Sequence, residues 1–248
     1  MAAQPSIVVH VLPPSHPCAT VEAALKLKGL EYERVELPLG RSSEEMERIY
    51  GEGKRTVPGV LVDGEPVHGS TAILERLEQL VAEPPLFPGG LDTAVAAAAR
   101  WGDEELQDLG RRLPWGALHF RPESMGTFAG PGAVALDPAG TDFAMKFIHG
   151  TWKYHGITAQ RLAADLADLP AKLDRIDAFV AEGILGGEQP NAADLQIGAT
   201  LSVLLTVGDL RPLIEGRPAE QVARRFFDDR PGLVPAGAFP AGWIATSA

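Results

Sequence analysis

Ile7-Val8-Val9-His10-Val11-Leu12 is β-branched and almost continuously apolar, as a strand buried on both faces would be. A strand of that kind must be covered above and below, and the residues that follow supply the cover. Pro13 and Pro14 end it. Val21, Ala24, Leu25 and Lys28 then fall at helical spacing within residues 20–28, Gly29 is placed to close that helix, and residues 32–37 alternate as a second strand. The result is a β-α-β unit. Ser42 or Ser43 ahead of Glu44, Glu45 and Glu47 opens a helix with carboxylates at the positive end of its dipole, running to about Tyr50, before Gly51 and Gly53. Val60-Leu61-Val62, Asp63-Gly64 and Pro66-Val67-His68 predict an antiparallel hairpin with a tight turn. After Gly69-Ser70, the spacing of Ile73, Leu74, Leu77 and Leu80 predicts an amphipathic helix to about Ala82. The order is βαβαββα.

Residues 83–91 are too rich in Pro and Gly to continue a helix, and no convincing strand follows, so the domain boundary is expected there. Beyond it the pattern is helical. Asp92 opens an Ala-rich helix to Leu113 that Pro114 is expected to end, and residues 122–141 read as a long loop. Leu162, Leu166, Leu169, Leu173, Ile176 and Val180 mark one helix face, with Pro170 expected to kink or split it. Asn191 and Asp194 open a helix whose apolar residues point in every direction, as in a central, buried element. A further helix starts near Pro218, and Leu233, Phe239 and Trp243 in the Pro/Gly-rich tail predict an extended segment packed on the body.

The 248 residues, 45% of them hydrophobic, can bury one large or two modest cores. With 22 basic and 33 acidic residues the formal charge is -11, which disfavours nucleic acid and anionic membranes as partners. One cysteine excludes an internal disulfide, no apolar run approaches a membrane span, and no secretory leader is evident, so the cytoplasm is the expected location. The six histidines show no metal-ligand spacing, and no metal is expected.

Ser15-His16-Pro17-Cys18 lies between a strand and a helix, where backbone N–H groups and the helix dipole favour an anion such as a thiolate. Ser15 reads equally as a plain helix cap or as a hydroxyl that donates to a sulfur. Cys18 reads as a small buried hydrophobe or as a reactive thiol, and with Ser at position 15 no Cys-x-x-Cys pair exists for dithiol redox chemistry. In Thr56-Val57-Pro58 the proline lacks an N–H, so Val57 can offer its backbone to an extended ligand; local sequence by itself favours a trans bond. Gly69-Ser70 at a helix start can bind a carboxylate or simply cap. Asn191-Ala192-Ala193-Asp194 is a structural capping box. Trp101, Trp115, Phe120 and Trp152 are either core or the lining of an apolar substrate pocket.

Taken together these residues resemble the cytosolic glutathione transferase superfamily over most of the chain. The resemblance implies an α/β plus all-α chain: a thioredoxin-like, thiol-binding domain over residues 1–82, a linker over 83–91, and a helical domain over 92–248 with the substrate pocket and an extended tail. Ser15-His16-Pro17-Cys18 looks like the Ser-x-Pro-Cys signature of the theta and delta classes, which implies that Ser15 is catalytic and stabilises a thiolate, with His16 and Cys18 beside it. Thr56-Val57-Pro58 matches the family's cis-proline segment, implying that Val57 and Pro58 bind the tripeptide backbone, and Ser70 matches the serine that holds the γ-glutamyl carboxylate. Gly69 stands where the family usually has an acidic residue, and Ala19 where the theta and delta pattern has Arg. The implied cosubstrate is therefore glutathione or another small thiol, with Lys54 and Arg55 available to a different anionic group. The implied activity is conjugation to a small-molecule electrophile by a cytoplasmic, homodimeric detoxifying transferase. Two other readings are a non-catalytic ligand-binding or assembly module of the same fold and a monothiol redox enzyme using Cys18.

Overall fold

The structure is a computed structural model that describes residues 4–13, 15–38 and 40–244; Pro14, read above as part of the strand end, lies outside them. Four strands, β1 (Ile7–Val11), β2 (Glu33–Glu36), β3 (Gly59–Val62) and β4 (Glu65–His68), form one sheet in the order β2-β1-β3-β4. Helix α1 (His16–Leu27) makes the crossover that parallel pairing of β1 with β2 requires, whereas β3 runs antiparallel to both β1 and β4. The Asp63-Gly64 turn closes the hairpin with both residues at positive φ, 50° and 86°. With α2 (Ser42–Tyr50) and α3 (Ser70–Leu80), this is a thioredoxin-like domain followed by a helical region.

The alternation of β1 explains the two faces of the sheet. Ile7, Val9 and Val11 are buried on the face that also takes Val60 and Val62 from β3, and α3, packed against β3, carries the buried Ile73, Leu74 and Leu77. The opposite parity holds His10 and Leu12, and there α2 contributes Met46 and Tyr50, which cluster with Leu37 and are packed by Leu12, Val35, Val57 and Leu61. Lys28 is fully buried at the end of α1: its Nζ meets Glu78 Oε2 at 2.5 Å and the carbonyls of Ala82 and Pro84 at 3.2 and 2.7 Å.

Those bonds tie the Pro/Gly-rich stretch to the end of α1, and the Ala192 N–H donated to Leu86 O at 2.8 Å ties it to residue 192. The chain accordingly divides into two compact units, Met1–Asp103 with Ile184–Ala199 and Glu104–Gly183 with Thr200–Ala248, and 83–91 runs within the first.

The helical part is α4 (Asp92–Trp101), a π-helical turn Gly102–Leu106, α5 (Gln107–Phe120), a 3-10 segment Pro122–Ala129, α6 (Pro138–Tyr154), α7 (Ala159–Ala181), α8 (Ala192–Leu204), α9 (Arg211–Ile214) and α10 (Pro218–Phe226). Pro114 does not end a helix; it sits inside α5. An interior proline costs about 3 kcal/mol, and the complete burial of Leu109, Leu113, Ala117 and Leu118 around it outweighs that. Pro170 likewise lies inside an unbroken α7, between the buried Leu169 and Leu173. Residues 122–141 are not one long loop, because Pro122 and Pro138 each start a helical segment and Asp137 caps α6 by accepting from Gly140 N at 2.7 Å. In the tail Phe239 is buried and Trp243 half-buried, but Leu233 is exposed, contrary to the packing expected of it. The Asp209 carboxylate holds this tail by accepting from the N–H groups of Gly237, Ala238 and Phe239.

Candidate active site

Sheet register brings three separate loops to one end of the sheet. β3 begins at Gly59, opposite His10 near the end of β1, so the Val57-Pro58 segment arrives where the chain leaves β1 for Ser15. His68 at the end of β4 is opposite the same Gly59, which delivers Gly69-Ser70 there too, and Gly69 N donates to Pro58 O at 3.1 Å.

Ser15 is the N-cap of α1: its extended backbone (φ -71°, ψ 120°) ends the approach from β1, and its Oγ accepts from Cys18 N at a long 3.4 Å. Half-buried, it keeps a hydroxyl proton that the cap bond does not use. His16 and Cys18 both face inward and are buried. Burial pushes the Cys18 thiol up to about 11, with the nearby Ser15 hydroxyl and Leu12 backbone offsetting only part of that rise. Burial favours the protonated thiol over the thiolate, and the Cys18 N–H completes the cap.

The Val57-Pro58 bond is cis, whereas local sequence favours trans. Val57 is half-buried with its side chain packed on the Leu37, Met46 and Tyr50 cluster; Pro58 is buried. Ser70 is the first residue of α3 and buried, preceded by Gly69 at φ 92°. The space around a side chain at position 69 is open, but that backbone conformation strains any residue with a Cβ. Lys54 and Arg55 are exposed, and Arg55 stands 3.9 Å from Glu47.

A set of residues that sequence patterning did not pick out as part of this site underlies that end of the sheet. Tyr50 OH lies 2.7 Å from His10 Nδ1, and the Tyr50 ring covers Gly59 so closely that any Cβ there would collide with it. His68, whose ring is 5.9 Å from that of Tyr50, donates from Nε2 to Thr56 O at 2.7 Å, so β4 fixes the carbonyl that precedes Val57. Burial lowers the pKa of His10 and of His68, keeping both rings neutral near pH 7 and consistent with these bonds, while burial raises that of Tyr50. Counting the hairpin register across Asp63-Gly64 places His68 beside Gly59 and is the signal that could have found them.

Of the four aromatic candidates, Trp115, Phe120 and Trp152 come together in the second unit. Trp152 Nε1 donates to Trp115 O at 2.9 Å, and the His119 ring lies 4.1 Å from that of Trp152 and meets that of Phe120 edge to face at 5.2 Å. Trp101 ends α4 in the first unit. Among the described residues no group of three or more His, Cys, Asp or Glu is placed to hold a metal, and no helix is long and apolar enough to cross a membrane.

Residues 9–85 match the family described as glutathione S-transferase, N-terminal domain. The fold is that of the glutathione transferases. Its solved neighbours include the tau-class glutathione S-transferase of mango, Mangifera indica, at 17% identity with 95% of this chain and 93% of that one covered and a TM-score of 0.58. The beta-etherase LigF of Sphingobium sp. strain SYK-6 aligns at 18% identity, covering 90% and 98%, with a TM-score of 0.61. A rice glutathione S-transferase in complex with glutathione aligns at 22%, covering 90% and 84%, with a TM-score of 0.56. No curated protein matches the sequence. The family match covers the sheet-bearing part of the chain, and the neighbours share its fold.

Proposed function

We propose that the chain is a thiol transferase of the theta and delta type, in which that end of the sheet holds a small thiol and Ser15 ionises it. The observation that carries this reading is the convergence of Ser15, Val57 and Ser70, three residues from distant parts of the chain, at one end of a four-stranded sheet. The Ser15 hydroxyl donates to the sulfur and favours the thiolate, whose proton leaves to solvent; the positive end of α1 adds to the effect. Val57 offers backbone groups to the ligand's extended part, and Ser70 with the first N–H groups of α3 takes a carboxylate. The thiolate then attacks an electrophilic carbon, forming a carbon–sulfur bond as the leaving group departs with its electron pair. Trp115, Phe120 and Trp152 are the aromatic surface proposed for the electrophile, and a homodimer is the proposed assembly, checked by light scattering.

Gly69 sharpens the choice of thiol. With no carboxylate at that position, a ligand amine there loses its partner, which favours a thiol other than glutathione. Calorimetry across a thiol panel, paired with conjugation of chlorodinitrobenzene, tests both levels. Binding of a thiol with turnover that falls about 100-fold in Ser15→Ala is the expected result. Unchanged turnover in that variant sinks the role of Ser15, and an absence of binding by every thiol leaves the non-catalytic module as the better reading.

A further inference from the structure

The Thr56-Val57-Pro58 segment is held on both sides by the end of β4. His68 Nε2 donates to Thr56 O at 2.7 Å, and Gly69 N donates to Pro58 O at 3.1 Å. Between those two anchors, among the described residues, neither the N–H nor the C=O of Val57 has a hydrogen-bond partner. Backbone groups left so in a half-buried residue are open to a ligand. His68 is itself held from two directions. Its strand position pairs it with Gly59, and its ring lies 5.9 Å from that of Tyr50, whose hydroxyl is 2.7 Å from His10 Nδ1. A line of contacts thus runs from β1 through α2 and β4 to the carbonyl of Thr56.

What that carbonyl does for Val57 follows from the peptide plane. Among the described residues the cis bonds are Val57-Pro58 and Glu83-Pro84, so the Thr56-Val57 bond is trans. In a planar trans peptide the C=O and the next N–H share a plane and point in opposite directions, so a donor that fixes Thr56 O also fixes the direction of Val57 N–H. The Gly69 bond acts on the peptide after Pro58 and leaves the Thr56-Val57 plane to His68. Thr56 is exposed, so packing of its own side chain does little to hold that plane. We propose that His68 is a positioning residue of the thiol site: by holding Thr56 O it aims the Val57 N–H at a carbonyl oxygen carried by the thiol. The inference rests on the transferase reading and narrows its substrate to thiols with a carbonyl acceptor near the sulfur-bearing carbon. A thiol without such an acceptor gains nothing from the aim of Val57.

Steady-state conjugation of chlorodinitrobenzene by the full chain, with glutathione, N-acetylcysteine or propanethiol as the thiol, tests this role. His68→Leu is expected to raise the KM of the two carbonyl-bearing thiols about tenfold while kcat changes less than about twofold, and to keep the KM of propanethiol within about twofold. His68→Gln, whose amide N–H can reach the same carbonyl, should return the KM to within about threefold of the unaltered chain. An unchanged KM in His68→Leu, an equal rise for propanethiol, or no recovery in His68→Gln overturns the role. Should His68→Leu not fold, His68→Asn takes its place: its shorter amide falls short of Thr56 O and should give the same rise, and an unchanged KM there overturns the role as well. Absence of conjugation with every thiol in the unaltered chain removes the transferase reading and this role together, whereas turnover that ignores His68 removes this role alone.

Discussion

Two helices of this chain begin in the same way and are put to different ends. At α8, Asn191 Oδ1 accepts from Ala193 N and Asp194 N at 2.9 and 3.1 Å, Asp194 Oδ2 accepts from Asn191 N at 3.0 Å, and its Oδ1 accepts from Gly186 N at 2.8 Å. Asn191 Nδ2 also reaches Ile184 O at 2.7 Å. Both side chains are buried and their polar atoms are engaged. At α1, Ser15 is half-buried and makes one long cap bond. A cap that saturates every atom serves stability; a half-buried cap held by one long bond is better suited to a ligand.

That contrast can be broken, and the largest effect is expected at Asp194. Asp194→Ala strands two N–H groups in a buried site and is expected to destabilise the chain by about 3 kcal/mol, read by urea denaturation. Asn191→Ala should follow, at about 2 kcal/mol, because the Ala193 and Asp194 amides lie at the helix start and lose their acceptor there. A cost below about 0.5 kcal/mol in either variant would make the two caps equivalent.

Cys18 gives a pH-dependent middle case. Its folded pKa of about 11 lies above the ordinary value of 9.0, so the buried neutral thiol contributes stability that is complete below pH 9 and is lost as pH rises towards 11. Between those limits the chain should lose about 2 kcal/mol more than Cys18→Ala loses, and at neutral pH the folded thiol should resist alkylation. Parallel profiles for the two proteins would show that the thiol is not held neutral by burial. Ser15→Ala should cost least, about 0.5 kcal/mol or less, because a 3.4 Å cap bond is weak, while abolishing most conjugation. A large loss of stability there would turn Ser15 into a structural cap of the α8 kind.

Much of this molecule could be read before any fold was known. The strand at 7–11, its following helix, the Asp63-Gly64 hairpin and the Asn191 box follow from local rules of period, turn and cap, and all four are present. Pro114 and Pro170 resisted reading because burial of their neighbours decides the matter, and burial is a property of the tertiary structure. His10, Tyr50 and His68 meet only through strand register and a helix laid across it, so no spacing along the chain announces them. The Asp209 anchor of the tail joins residues about 30 apart by backbone N–H groups, which carry no sequence signature.

The division of the chain has a consequence for anyone who would cut it. Residues 184–199 fall with the sheet-bearing unit, although 80 residues of the other unit, Glu104–Gly183, intervene. Thr20 in α1 donates to Leu195 O at 3.2 Å, and Leu86 O receives Ala192 N. A fragment ending at residue 91 would therefore keep β1 to β4 and yet lose Leu195 and Ala192 as partners of Thr20 and Leu86, so a swap of this sheet-bearing unit into another protein must carry two pieces of chain rather than one.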